Sequence, residues 1–343
     1  MKKMLFLFLS CFTLAACNQN TSSSQQNTQT QTKAKPIIET TADCLTDTQE
    51  ILSKIDQKSS IQQLSSANFV LKKCIKTLNH AQLYTLLATT DKMYARFLTT
   101  TSGDDSLTGL NAYGYAKFYP ENAQDLGYNN AESIKKTLPK RDQYLMDQIG
   151  KEYIQFLDIG EGYFDLKRHP LYVADLFAPY LPEAEAVFIR RMAQDNSDIL
   201  YSDAAISIPW QTLVERALFW EKYLEKYPNS RFNQDAKNLF HEYEYLSFMG
   251  SDNSDTFGFS NGHYVVESEE VLPALKWLAK QPHSKIAEKA HIFLDYTAKN
   301  YATIGDQDYD KQHESLIKLL KLTPSNYEVD CHTDALCKKK SLM

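Results

Sequence analysis

The chain has 343 residues, 43% of them hydrophobic, with 37 basic and 43 acidic side chains and a formal net charge of −6. Gly and Pro number only 11 each, below their usual shares of about 7% and 5%. That balance excludes collagen-like and wholly disordered chains, argues against a turn-rich β-sandwich, and gives no electrostatic reason to expect nucleic acid as a partner.

At the start of the chain, Lys2 and Lys3 precede an apolar run from Leu5 to Ala16. The run is too short for a spanning helix, which needs about 20 residues. It ends in Leu14-Ala15-Ala16-Cys17, and these residues resemble the lipobox of bacterial lipoproteins. The resemblance implies that residues 1–16 are a signal peptide, that Cys17 is lipidated, and that the mature chain begins there. Acyl chains at about 0.8 kcal/mol per buried methylene hold such a protein on a bilayer. Asn18 stands where an Asp would favour inner-membrane retention in the enterobacterial sorting pattern. The implied address is therefore the outer membrane, facing the periplasm. From Asn18 to Thr32 the chain contains only Asn, Gln, Ser and Thr. Residues 17–40 thus read as a lipid anchor and a disordered leash, because nothing in them repays the entropy of ordering.

Next comes a helical N-terminal region, 41–200. Thr41 or Asp43 can cap a helix running to about Asp56, and Ile61 to Leu78 reads as a second. Cys44 and Cys74 lie equidistant from the polar Lys58-Ser59-Ser60 connection. In an antiparallel helical hairpin they face each other, and an exported chain with four further cysteines invites disulfides. Cys331 and Cys337 then close a small ring in a C-terminal tail, 326–343. A metal held by Cys331, His332 and Cys337 is the rival reading, but Cys-x5-Cys is not a usual zinc spacing. No metal or other cofactor is expected. Thr99 to Gly127 reads as a long loop or irregular helices, and Arg141 to Ile159 as a helix ending at Gly160-Glu161-Gly162. Pro170, Pro179 and Pro182 punctuate short helical pieces leading to Glu183–Gln194, and 196–208 reads as a subdomain junction.

Beyond Pro209, apolar residues recur three and four apart, as on one face of a helix. Leu213, Ala217, Trp220, Leu224 and Tyr227 form one stripe; Phe232, Ala236, Leu239, Tyr243 and Leu246 form the next. The spacing Leu224-x3-Pro228-x-Ser230-x5-Ala236 returns 54 residues later as Leu278-x3-Pro282-x-Ser284-x5-Ala290. Physically this is a helical hairpin: Pro ends the first helix, Ser caps the second, and the small Ala lets the two approach. The phrase from Trp220 to Ala236 resembles tetratricopeptide-type hairpins, in particular those of outer-membrane assembly lipoproteins. The resemblance covers about 210–325. It implies an all-α fold of antiparallel hairpins stacked as a TPR-like or α-solenoid-like array over 201–325, below an irregular helical N-terminal half. The 54-residue offset exceeds the standard 34, and Ser247 to Val266 reads as an inserted loop, so that family's function is not carried over.

Candidate chemistry is sparse. Asp306-x-Asp308-x-Asp310 opens like a calcium loop, but Lys311 and Ile317 occupy positions that need Gly and Glu. His241-Glu242-Tyr243-Glu244 lacks the second His of a metalloprotease helix. No catalytic residue is assigned. Glu161, Asp165, Arg168 and His169 form a loop cluster that could do acid–base work if buried together. Phe257, Phe259, His263 and Tyr264, between small polar residues, are the candidate partner contacts, with Trp220, Tyr223, Tyr243 and Trp277 as aromatic anchors to inspect. Two functions follow. The first is a membrane-tethered, non-catalytic helical scaffold for an unidentified protein partner. The second is an exported enzyme or small-ligand binder with a site in the 100–200 region.

Overall fold

The computed structural model describes residues 41–103, 108–125, 127, 129–260, 263–266, 268–300, 309–323 and 329–339. Cys17, the leash, Asp306 and Asp308 lie outside the described residues. The described residues group as one compact unit. It is mostly helical, as expected, with five small two-stranded antiparallel sheets among the described residues.

Helices α1 (Thr41–Ser53), α2 (Ile61–Cys74) and α3 (His80–Phe97) open the fold, and α1 packs on both of the others. Two capping boxes set the breaks. Ser60 and Gln63 start α2, and Asn79 and Gln82 start α3, each pair satisfying orphan amides reciprocally. The helix expected to reach Leu78 therefore stops at Cys74, followed by one 3-10 turn.

Four short helices follow: α4 (Gly109–Phe118), α5 (Pro120–Asp125), α6 (Ala131–Thr137) and α7 (Lys140–Met146). The helix expected over Arg141 to Ile159 is corrected here. It ends at Met146, and Gly150, Glu152 and Tyr153 adopt left-handed φ values of 85°, 46° and 59°. The chain then enters β1 (Ile154–Gly160), paired with β2 (Tyr163–Arg168). Alternate side chains Ile154, Phe156, Phe164, Leu166 and Arg168 are buried, the period-two pattern of a one-sided hairpin. Phe164 lies against α4 where Gly114 makes room; a Cβ at Gly114 would sit 2.2 Å from the ring.

After α8 (Leu171–Leu176) and α9 (Glu183–Asp195), a small hairpin, β3 (Tyr201–Ser202) and β4 (Ala205–Ile206), leads to α10 (Trp210–Lys226) and α11 (Asn233–Met249). The segment expected as an inserted loop folds instead as two hairpins, β5 (Gly250–Ser251) with β6 (Ser254–Asp255) and β7 (Phe257–Ser260) with β8 (His263–Val266). Gly250 makes the first possible: its φ is +76°, and a Cβ there would meet the Ser254 carbonyl oxygen at 2.2 Å. Helices α12 (Val271–Leu278), α13 (Lys285–Asn300) and α14 (Tyr309–Leu320) complete the helical part.

The repeated sequence phrase corresponds to two helix pairs, α10–α11 and α12–α13. Ala236 and Ala290 are both fully buried, as close helix approach requires. Glu221 of α10 accepts the Lys285 and Ile286 amides at 2.7 and 3.1 Å and meets Ser284 Oγ at 2.6 Å. One pair thus caps a helix of the next. Trp220, Tyr223 and Tyr243 belong to the core, with Trp220 packed on Phe188 of α9; Trp277 packs partly buried against the same core.

The last described segment, β9 (Val329–Asp330) through β10 (Lys338–Lys339), docks into the body rather than trailing from it. Cys331, Asp334 and Ala335 are 3%, 4% and 0% exposed. Both cysteine pairs stand as disulfides, Cys44–Cys74 and Cys331–Cys337, with Cα separations of 5.7 and 4.1 Å.

Candidate functional site

A cavity of about 770 Å³ opens where the β1–β2 hairpin, the Tyr201–Ala204 turn, the end of α11, the β5–β6 hairpin and the Cys331–Cys337 ring converge. Its apolar wall comes from Leu157, Leu200, Leu246, Met249 and Val329. Leu200, Leu246 and Met249 are buried, so the floor of the cavity is core.

Glu242 is the polar centre of the wall. Projecting from α11, its Oε1 accepts the Tyr201 hydroxyl at 2.9 Å and its Oε2 faces His332 Nε2 at 2.9 Å. The imidazole stands edge-on to the rings of Tyr201 and Tyr243, at 5.6 and 6.0 Å. With Nε2 turned to Glu242, Nδ1 is buried and finds no hydrogen-bond partner among the described residues; neither does Ser251 Oγ, which also lines the cavity. Both atoms are closed off from the open cavity, and buried polar atoms of this kind are ordinarily met by ordered water.

The ring carrying His332 is fixed from several sides. The His332 amide and the Thr333 hydroxyl donate to the two Asp330 oxygens at 2.8 and 2.7 Å, closing a local turn. Asn196 Nδ2 donates to the carbonyls of Cys331 and Asp334 at 2.7 and 2.6 Å. Asp334 pairs with Arg168 at 2.8 Å and with Lys338 at 3.0 Å, and Lys338 reaches Asp91 at 2.8 Å. Burial alone would raise the Asp334 pKa, but Arg168, Lys338 and the Ala335 amide together hold it below the usual carboxylate range. Arg168 answers in kind. Burial opposes its charge, yet Asp334 and Asp91 outweigh that and raise its pKa. The segment 196–208, read from sequence as a junction, is thus one of the anchors of the site.

On the far wall, Asp158 Oδ1 accepts the Gly160 amide at 2.8 Å and Oδ2 accepts the Tyr119 hydroxyl. That bond, with some burial, pushes the Tyr119 pKa up to about 12. Gly160, with φ +93°, lets the β1–β2 turn touch the β3–β4 turn; a Cβ would lie 2.8 Å from the Asp203 amide nitrogen.

The four residues of the predicted loop cluster are not brought together. Glu161 is exposed at the hairpin turn, Asp165 pairs with Lys167 at 3.4 Å, and His169 Nδ1 accepts the Leu171 amide at 3.1 Å. Arg168 points inward to Asp334, and no hydrogen bond or ion pair joins any two of the four. Phe257 is 2% exposed and stacks on Phe293 at 5.6 Å, which withdraws it as a partner contact. Phe259 pairs with Tyr264 across the β7–β8 ladder, next to Ser260 with His263. The disulfide of Cys331 to Cys337 removes both thiolates from the alternative metal reading.

Glu242 and His332 each stood in a sequence motif examined for metal, but 90 residues separate them and nothing local announced their pairing. No protein-family model matches the chain, and no curated protein or solved structure is significantly similar to it.

Proposed function

We propose that this chain is an exported, lipid-anchored envelope protein whose body is a non-catalytic binding module, with the cavity as its binding site. One observation carries the reading of the body. A cavity within the range of about 300–1,000 Å³ usual for small-molecule sites is walled by apolar side chains and a few converging polar groups. His332 Nδ1 is buried within the ring and Glu242 is engaged on both oxygens, an arrangement suited to holding a ligand rather than exchanging protons with one. The anchor rests on the lipobox-like Leu14–Cys17; no helix among the described residues is long and apolar enough to cross a membrane.

Native mass spectrometry of protein released from its own membranes tests both parts. A lipidated Cys17 and a bound small molecule are expected, with the molecule absent from a Ser251→Trp variant whose indole fills the cavity. An unmodified chain removes the anchor, and a ligand that survives the plug removes the cavity.

A second reading is a TPR-like scaffold for a protein partner. The repeated pairs α10–α11 and α12–α13, together with exposed Ile292 and Leu319 on α13 and α14, favour it. Co-purification abolished by Ile292→Glu, with the cavity left empty, would decide for it.

A further inference from the structure

We infer that the cavity holds the hydrocarbon tail of a single-chain lipid whose head group carries no negative charge. This deepens the binding reading above and rests on it. The first support is what the wall leaves to be covered. Asp158, Glu242 and Asp330 each have both carboxylate oxygens engaged by groups of the protein itself. Asn196 spends its amide on two backbone carbonyls, and Lys167 leans on Asp165 at 3.4 Å. A hydroxyl-rich ligand such as a sugar gains little from such a wall, because the bonds it could make compete with bonds already closed. Leu157, Ile199 and Val329, by contrast, stand half-buried around the apolar floor. Methylene groups laid against them bury apolar surface and ask for no directional partner.

A second, independent observation lies at the edge of the cavity. Ile159, which lines it, is 48% exposed. Tyr163, across the ladder from Gly160, is exposed as well. So are Tyr119, which donates to Asp158 of the wall, and Phe118, stacked on Phe164 at 5.5 Å. Four of the nine large apolar side chains exposed among the described residues thus gather at the end of the β1–β2 hairpin that borders the cavity. An exposed apolar cluster of this kind marks a surface that meets lipid or another apolar partner. Because Ile159 belongs to both cluster and cavity, a hydrocarbon tail can pass from one to the other while staying in apolar contact. A body tethered to a bilayer has such tails within reach.

Charge then selects the head group by exclusion. Asp158, Glu242, Asp252, Asp255 and Asp330 line the cavity, against one lysine or arginine, Lys167, among the described lining residues. A concave, partly apolar wall focuses the field of those carboxylates on whatever enters. It repels a fatty-acid carboxylate and leaves an uncharged head, such as glycerol, at no disadvantage.

Isothermal titration calorimetry on the full disulfide-bonded chain, with Cys17→Ser so that no acyl group of its own competes, tests the inference. The probes are octanoyl, decanoyl and lauroyl glycerol, with laurate and maltose beside them. The acyl glycerols should bind, roughly fourfold tighter per added methylene, and maltose should not. Laurate, with the same tail as lauroyl glycerol, should bind roughly tenfold more weakly and recover as salt rises. Leu157→Asp should weaken lauroyl glycerol at least tenfold. Asp252→Lys, at an exposed position, should strengthen laurate roughly threefold, a gain that misfolding cannot produce. Maltose binding that Ser251→Trp abolishes, with the acyl glycerols silent, overturns the lipid inference and leaves the cavity reading standing. Acyl glycerol binding that ignores tail length, or that survives both Leu157→Asp and Ser251→Trp, overturns it too, as attachment elsewhere. Laurate held as tightly as lauroyl glycerol at low salt overturns the choice of head group. Binding by none of the probes, together with ligand-free protein from native membranes, brings down both readings.

Discussion

Cys44–Cys74 and Cys331–Cys337 close loops of very different surroundings. The first bridges α1 and α2, whose contact is apolar, with Leu52, Leu64 and Leu71 fully buried; Thr77 Oγ1 reaches Cys44 Sγ at 4.0 Å, and Arg96 donates to the Leu52 and Ile55 carbonyls beyond the far end of the pair at 2.8 and 3.0 Å. The second closes a ring that Arg168, Asn196, Glu242 and Lys338 hold from four directions. One bridge staples helices that already fit, while the other completes a polar knot forming a cavity wall. The difference teaches that the worth of a bridge depends on what else grips the loop it closes.

The largest effect should come from the knot rather than from either bridge. Arg168→Ala leaves buried Asp334 with only Lys338 and the Ala335 amide and empties the space the guanidinium fills against Tyr94 and Tyr172, and should cost about 3–5 kcal/mol in chemical denaturation. Loop length then ranks the bridges. Removing Cys44 and Cys74, 30 residues apart, should cost about 4 kcal/mol in the chain-entropy model, and removing Cys331 and Cys337, 6 apart, about 2 kcal/mol. Only the smaller of these losses should alter ligand binding, because only that ring lines the cavity. Equal effects on binding from both pairs would erase the comparison.

The knot also has a pH signature. Asp334 has a folded pKa below its ordinary 3.8, so its contribution to stability is fully present above the unfolded value and lost as pH falls through the folded one. Denaturation midpoints followed downward from pH 5 should therefore fall more steeply in the native protein than in Asp334→Asn. Gly250→Ala comes next, at about 1–3 kcal/mol, from a left-handed backbone and a Cβ against the Ser254 carbonyl. The smallest is Phe69→Ser at 59% exposure, expected within about 0.5 kcal/mol.

Much of this molecule could be read from its residues. Three- and four-residue apolar spacing located α10 and α11, and the equidistance of Cys44 and Cys74 from a polar connection found the first bridge. The repeated Pro-x-Ser phrase located two helix pairs. What escaped was short and nonlocal. Hairpin β1–β2 was masked because Ile154–Ile159 is as apolar as a helix face, though Phe164, Leu166 and Arg168 alternate and Glu161-Gly162 marks a turn. The candidate site depends on Asn196, Glu242 and His332 meeting across as many as 136 positions. Local patterning carries no term for such a meeting. Phe257 misled for the reverse reason: a loop-like composition concealed a strand that turns its aromatic ring into the core.

The Cys331–Cys337 ring is a wall of the cavity rather than an appended tail. Hydrogen exchange on a chain ending at Leu322, set against the full chain, measures this directly. Faster exchange is expected in β1–β2, in 196–201 and at the end of α11, with protection of α1 and α2 unchanged. Unchanged exchange around the cavity after removal of the ring would contradict it.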